Sequence, residues 1–333
     1  MEINLSLAVL IFLISALLVV ISGIILAKSG DSIAEYSGLG RVWVGSLLVA
    51  GATSLPELVT VISAVVLDSP SLAGGTIFGA NMINMAKFSI LVLIFGGSNI
   101  FQNLLRLQVW VATFAFLLTC VAVLMTIFSS SIKIFGVSPF GVILIIMYIL
   151  SSKFLYHKSA LDSSKQNFIE HNSENNSIKR QWALFFLSAL MLFISAPFLT
   201  YSSERISEFS NVSQSFIGVL ALGFLASLPE FTAAAAAFKI GAPDLGVSAL
   251  FGSNAFNIAA LGIADIFYHK GSLFSSLDIS HLAAGVFAVI LIGLCLLQLY
   301  QRTKLRLFSL STPSPIIVIF LYIVGLFVVF KLG

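Results

Sequence analysis

The sequence predicts an all-α polytopic membrane protein of ten transmembrane helices, arranged as two inverted five-helix repeats. Three observations predict it. Of its 333 residues, 59% are hydrophobic and only 9% charged, with a mean hydropathy of +1.07, a balance that excludes a soluble domain. The apolar residues gather in stretches of about 20, the length that crosses a bilayer core. The second half also repeats the first: Ser-Leu-Pro-Glu occurs at 54–57 and again at 227–230, each copy followed at the same distance by Gly-x-Asn-x-x-Asn. Glu57 and Glu230, Pro56 and Pro229, Gly79 and Gly252, Asn81 and Asn254, and Asn84 and Asn257 share one offset of 173 residues.

The spans are expected near residues 5–27, 42–66, 74–97, 108–128, 134–154, 182–200, 214–238, 246–268, 281–300 and 314–331. The first is too long for a signal-peptide core and follows Glu2 instead of a basic leader, so it is expected to be retained. Orientation follows from the loops. With the N-terminus outside, the inner loops hold Lys28, Arg41, Arg106, Lys153, Lys158, Lys165, Lys179, Arg180, Lys239, Arg302, Lys304 and Arg306. The outer side then holds only Lys133, Arg205, Lys270 and Lys331. This positive-inside asymmetry places the chain in the inner (cytoplasmic) membrane as a multi-pass protein. Five spans separate the two Ser-Leu-Pro-Glu copies, and an odd number reverses the second copy relative to the first.

Residues 1–155 therefore form the N-terminal repeat and 181–333 the C-terminal one. The polar stretch 156–180, with Asp162, Asn167, Glu170, Asn172 and Glu174, reads as a cytoplasmic linker too short for a packed core. Cys120 and Cys295 lack the spacing of a disulfide framework or a zinc site.

Two carboxylates carry the chemistry. An acid inside an apolar span costs about 2.5–3.5 kcal/mol on insertion scales, and Glu57 and Glu230 pay it at equivalent positions. Such residues mark ion pathways by default, and their duplication suggests one shared cation site. Calcium and sodium want oxygen ligands. The two carboxylates, the amides of Asn81, Asn84, Asn254 and Asn257, the hydroxyls of Thr53, Ser54, Ser227 and Ser253, and backbone carbonyls can supply them. Pro56 and Pro229 lack an N–H, so each frees a carbonyl about one turn upstream, near Ala52–Thr53 and Leu225–Ala226, as discontinuous transporter helices do around cations. Taken singly, an Asn or Ser in a span is as readily interhelical glue, and a Pro a tolerated kink. Asp31 and Glu35 read as a solvated loop after the first span, and Asp265 as an interfacial residue late in the eighth.

The segments Ala50-Gly51-Ala52-Thr53-Ser54-Leu55-Pro56-Glu57 with Gly79-Ala80-Asn81-Met82-Ile83-Asn84, and Gly223-Phe224-Leu225-Ala226-Ser227-Leu228-Pro229-Glu230 with Gly252-Ser253-Asn254-Ala255-Phe256-Asn257, resemble the paired alpha-repeats of the sodium/calcium exchanger superfamily of cation antiporters. The resemblance covers both repeats and the ten-span layout. It implies that the repeats enclose ions near the membrane centre, adds the Ala50 and Gly223 carbonyls to the ligand set, and has the first and sixth spans move across the core. The sequence departs from the pattern at Ala226, where Thr is common, at Ala80, where Ser is usual, and at Asn257, where some calcium exchangers have Asp. These departures leave at most two negative charges at the site and weaken or remove sodium positions.

The expected activity is Ca²⁺ exchange for Na⁺ by alternating access, with the cations and the bilayer as partners, no cofactor, no nucleic acid and no enzymatic reaction. An H⁺-coupled or other divalent-cation antiporter of the same fold is the alternative, ahead of a passive cation channel or a non-transporting scaffold. Lys87, one turn beyond Asn84, has Ala260 as its repeat equivalent. Either it extends away to a carbonyl or water near an interface, or its charge reaches the pocket and pairs with Glu57 or Glu230 when an ion position is empty, modulating the site as a tethered monovalent cation.

Overall fold

The computed structural model describes residues 4–95, 104, 106–128, 138–163, 175–209, 227–301 and 314–333. Among them the regular structure is helical throughout: α1 (Leu5–Ser37), α2 (Arg41–Thr53), α3 (Leu55–Val66), α4 (Pro70–Ile94), α5 (Leu107–Phe128), α6 (Pro139–Ser163), α7 (Asn175–Phe209), α8 (Leu228–Lys239), α9 (Pro243–Phe267), α10 (Ile279–Gln301) and α11 (Pro315–Leu332). Eight of these are long and apolar enough to cross a membrane. A ninth span forms if α2 and α3, bent by 49° where they meet, are taken as one. The remaining expected span, 214–238, has only its α8 half among the described residues.

The backbone repeats with the same offset as the motifs. α3 and α8 start and stop at equivalent residues, as do α4 and α9. Ser54 and Ser227, which precede the Pro-containing first turns, share φ −96°. Asp68 (φ 61°) and Gly241 (φ 82°) take the same left-handed turn between the paired helices. The turn bonds match as well: Ser69 N–H donates to Ala64 O, and Ala242 N–H to Ala237 O.

Helix α9 is the centre of the molecule, packed by α2, α3, α4, α5, α6 and α8, while α4 packs on α3, α9, α10 and α11. One buried apolar cluster joins these helices through Phe78, Phe88, Phe251, Leu261 and Ile292. At Gly252 the approach is backbone to backbone, since an added Cβ would meet Ser46 O at 2.3 Å. A second cluster holds α1 and α7 together against the alanine faces of α8 and α9, with Leu26, Leu192, Ala233, Ala237 and Ala249 among its members. The opposite face of α1 exposes Leu10, Leu13, Leu17 and Ile21, the surface a lipid-facing helix needs.

Several expectations are corrected. Asp31 and Glu35 lie on α1, which runs to Ser37. The helix persists because Asp31 pairs with Arg41 of α2 across the turn at Gly38 and Gly40. The linker expected at 156–180 is not tested by the structure: α6 continues to Ser163 and α7 starts at Asn175, and 164–174 lie outside the described residues. Polar residues on a helix that leaves the membrane cost nothing, so polarity alone marked no boundary there. Asp265 is buried, 1% exposed, instead of interfacial. It accepts the Gly141 N–H at 3.0 Å, the Leu273 N–H at 2.6 Å and the Ser272 hydroxyl, tying the start of α6 to the loop after α9.

Candidate cation site

The site is assembled where the two broken segments meet the two long central helices. α2 carries a π-helical stretch, Val44–Val49, just before Ala50–Thr53. Such stretches occur often beside functional sites because they break the regular i−4 ladder. The chain bends at Ser54, and α3 restarts with Pro56 and with Glu57 in its first turn. α8 restarts in the same way with Pro229 and Glu230. A carboxylate in a first turn faces unpaired N–H groups and the positive end of the helix dipole, which makes a buried acid tolerable there.

Glu57 and Glu230 are 8% and 3% exposed, and the charge of Glu230 acts on Glu57. The Ser54 hydroxyl donates to Glu230 Oε1 at 3.2 Å, joining one repeat to the acid of the other. The second carboxylate oxygens, Glu57 Oε2 and Glu230 Oε2, are buried without a hydrogen-bond partner among the described residues. Buried polar atoms are normally satisfied, so these two are free to serve a ligand.

The four asparagines lock α4 to α9. Asn84 Nδ2 donates to Asn254 Oδ1 at 3.0 Å, and Asn257 Nδ2 to Asn81 Oδ1 at 3.0 Å. Shifting both partners by the repeat offset turns one bond into the other, so the pair obeys a local two-fold relation. Asn81 Nδ2 adds a bond to the Asn254 carbonyl at 3.2 Å. Thus the side chains act as glue and at the same time leave oxygen to spare: Asn257 Oδ1 and Ser253 Oγ are buried and unpartnered among the described residues.

The remaining expected residues divide. The Thr53 hydroxyl donates back to the Val49 and Ala50 carbonyls, and Ala50 O also accepts the Ser54 N–H; both residues are buried beside the bend. Ser227 is buried at the start of α8. Gly223 and Ala226 lie outside the described residues. Lys87 does not extend to an interface. It is 0% exposed, and its ammonium donates to the Ser227 carbonyl and to Asn84 Oδ1 at 3.3 Å. An ammonium has no acceptor, so it fixes the Asn84 amide with its oxygen toward Lys87 and its nitrogen toward Asn254. The charge of Lys87 also acts on both glutamates. Among the described residues no cluster of three or more His, Cys, Asp or Glu forms; the oxygens here come from two acids, amides, hydroxyls and carbonyls, the donor set of hard cations.

Comparison with known proteins places this arrangement in a family. The model of the sodium/calcium exchanger protein family matches residues 7–156 and, again, 180–331. The chain belongs to the sodium/calcium exchanger family. These are membrane transporters, and the match to both halves follows the duplication seen in the backbone. The fold is shared with solved structures of the sodium-calcium exchanger NCX_Mj. The form soaked with 10 mM Na⁺ and zero Ca²⁺ has a TM-score of 0.73 and 22% identity, over 97% of this chain and 98% of that one. The form soaked with 2.5 mM Na⁺ and 0.1 mM Ca²⁺ gives 0.70 and 21%, over 96% and 97%. Among curated proteins, an uncharacterized membrane protein of Methanocaldococcus jannaschii is 25% identical over 72% of this chain and 75% of its own length. Inner membrane protein YrbG of Escherichia coli is 21% identical over 76% and 77%.

Proposed function

We propose that this family member is a secondary-active antiporter that exchanges Ca²⁺ for Na⁺ by alternating access across the inner membrane, its N-terminus outside. The observation that carries the reading is the pair Glu57 and Glu230, buried at the restart of two broken helices, each with one oxygen left unpartnered among the described residues. Two such acids offset the dehydration of a divalent ion or of several monovalent ones, and the two loads exclude each other because they need the same oxygens. Asn257, Ser253, Asn81, Asn84, Asn254, Ser54, Thr53, Ser227 and the Ala50 and Gly223 carbonyls are the further ligands in this reading. A cavity of about 370 Å³ beside the α3–α4 turn, the outer end in this orientation, is lined by Thr60, Ser63 and Ser69 and by the apolar Val59, Leu67 and Phe193.

Exchange follows if only a loaded site lets α1 and α7 shift across the core. Those two helices pack mainly on each other and, through Leu26 and Leu192 among others, on the small-residue faces of α8 and α9. The test is ⁴⁵Ca²⁺ uptake into proteoliposomes of the full chain under an imposed outward Na⁺ gradient and, separately, an outward H⁺ gradient. Uptake driven by Na⁺ and absent without a counter-ion is expected; conductance without counter-ion dependence would identify a channel. One observation favours a second reading. Two buried acids, one acting on the charge of the other, can hold a proton between them, and uptake driven by the H⁺ gradient alone would make this an H⁺-coupled antiporter.

A further inference from the structure

The duplicated site is symmetric in its asparagines and asymmetric in one charge. On one side of the local two-fold, the Lys87 ammonium sits on two oxygens, the Ser227 carbonyl and Asn84 Oδ1. The repeat equivalents of those oxygens are the Ser54 carbonyl and Asn257 Oδ1, and the equivalent of Lys87 is Ala260, an apolar residue 1% exposed. Asn257 Oδ1 is unpartnered among the described residues. The same pair of oxygens thus occurs twice, once capped by a covalently attached cation and once not. A backbone carbonyl and an amide oxygen are donors of the kind a hard cation takes, and an ammonium satisfies the same oxygens by hydrogen bonds.

From this geometry we propose that Lys87 is a tethered monovalent cation that fills one of two equivalent Na⁺ positions, so that the chain binds one Na⁺ fewer than its duplicated ligand set would hold. Three features support the assignment. Lys87 is fully buried in a span, where an unpaired charge is not retained without a function. It makes no ion pair with Glu57 or Glu230 at contact distance, so it does not quench a particular acid; its two direct partners are neutral oxygens of the kind that coordinate ions. It also acts electrostatically on both acids, which means that it lowers the net charge offered to any cargo. With Glu57 and Glu230 ionised, Lys87 reduces the charge of the site from −2 to −1, and divalent binding is weakened accordingly.

The inference rests on the reading of this site as a cation site, but it does not need that site to perform exchange. It is tested by equilibrium binding of ²²Na⁺ and ⁴⁵Ca²⁺ to the purified full chain and to Lys87→Met, which keeps the length and removes the charge. The Met variant is expected to bind one more Na⁺ per chain, to steepen Na⁺ competition against ⁴⁵Ca²⁺, and to bind Ca²⁺ about tenfold or more tightly, the scale of one unit charge a few ångström away. Lys87→Arg, which keeps a cation in the position, should retain the original Na⁺ count. If the Met variant is not recovered folded, Lys87→Gln carries the same expectation, since an amide can still donate to the Ser227 carbonyl without the charge. An unchanged Na⁺ count with Ca²⁺ affinity within about twofold of the original would overturn the proposal, and so would the absence of Na⁺ binding from both chains. A chain that binds both ions but fails to exchange them in liposomes overturns the antiport reading alone.

Discussion

Helices α4 and α9 begin and end at equivalent residues and present the same two asparagines to each other, yet one buries a cation and the other an anion. Lys87 of α4 stands where α9 has Ala260, and Asp265 of α9 stands where α4 has Val92. The charges are spent differently. Lys87 lies one turn from Asn84 and faces the site, whereas Asp265 lies eight residues past Asn257, about 12 Å along the axis, and holds backbone N–H groups of α6 and of the following loop. The difference teaches that duplication supplied the symmetric part, a crossed pair of helices locked by asparagines, and that single substitutions then gave the halves separate duties. On the proposal above, one modulates cargo; the other anchors a neighbouring helix.

The acids are kept by both halves and stand at equivalent helix starts, so they should respond alike. Glu57→Gln and Glu230→Gln preserve volume and remove charge, and each is expected to reduce Na⁺-driven ⁴⁵Ca²⁺ uptake to the level of empty liposomes at matched protein amounts. Near-normal uptake by either variant would break the symmetric half of the comparison, because it would leave a cation held by a single carboxylate.

The asparagines should respond unequally. Asn257→Asp adds a negative charge where the amide oxygen is unpartnered among the described residues, and Ca²⁺ affinity is expected to rise roughly tenfold or more. Asn84→Asp places its new charge 3.3 Å from Lys87, where most of it is neutralised, and affinity should change by less than about threefold. Calorimetric titration of both variants measures the contrast. Equal gains would show that Lys87 does not dominate its side of the site.

Asp265 should matter to stability and not to cargo. Asp265→Asn leaves one of three donors without its acceptor, an expected cost of about 1–3 kcal/mol, read as a lower thermal midpoint in detergent with Na⁺ and Ca²⁺ binding unchanged. Altered ion binding at unchanged stability would move Asp265 into the ion path.

The duplication, the eight or nine apolar spans among the described residues and the positions of the acids and asparagines were legible in the sequence, because each is written in local runs or in a fixed offset. The contacts across the molecule were not. Lys87 in an apolar helix reads either as a residue that reaches for water or as one that reaches the pocket, and its partner, the Ser227 carbonyl, is 140 residues away and carries no side-chain signal. Asp265 misleads in the same manner, since two of its donors are backbone N–H groups. Asp31 and Glu35 looked like loop because local polarity mimics a helix end, and only the pairing with Arg41 explains why α1 continues. The π-helical turn before Ala50 has no composition of its own; it belongs to the way α2 meets α9 at Gly252.

The smallest effect tests the turns that join the paired helices. Gly241 takes its left-handed conformation without steric cost, whereas Asp68 at the equivalent turn has a Cβ and φ 61°, a conformation that costs a residue with a side chain about 1 kcal/mol. Asp68 pairs with Lys270 of the neighbouring loop, but both side chains face water, and such pairs contribute little. Asp68→Gly is therefore expected to leave the thermal midpoint unchanged or to raise it slightly, most clearly at high salt, where the ion pair is screened. A midpoint that falls at low salt and recovers at high salt cannot arise from backbone strain. It would show that the Lys270 pair holds the α3–α4 turn against the loop after α9, and that the two equivalent turns have diverged in the same way as the helices they connect.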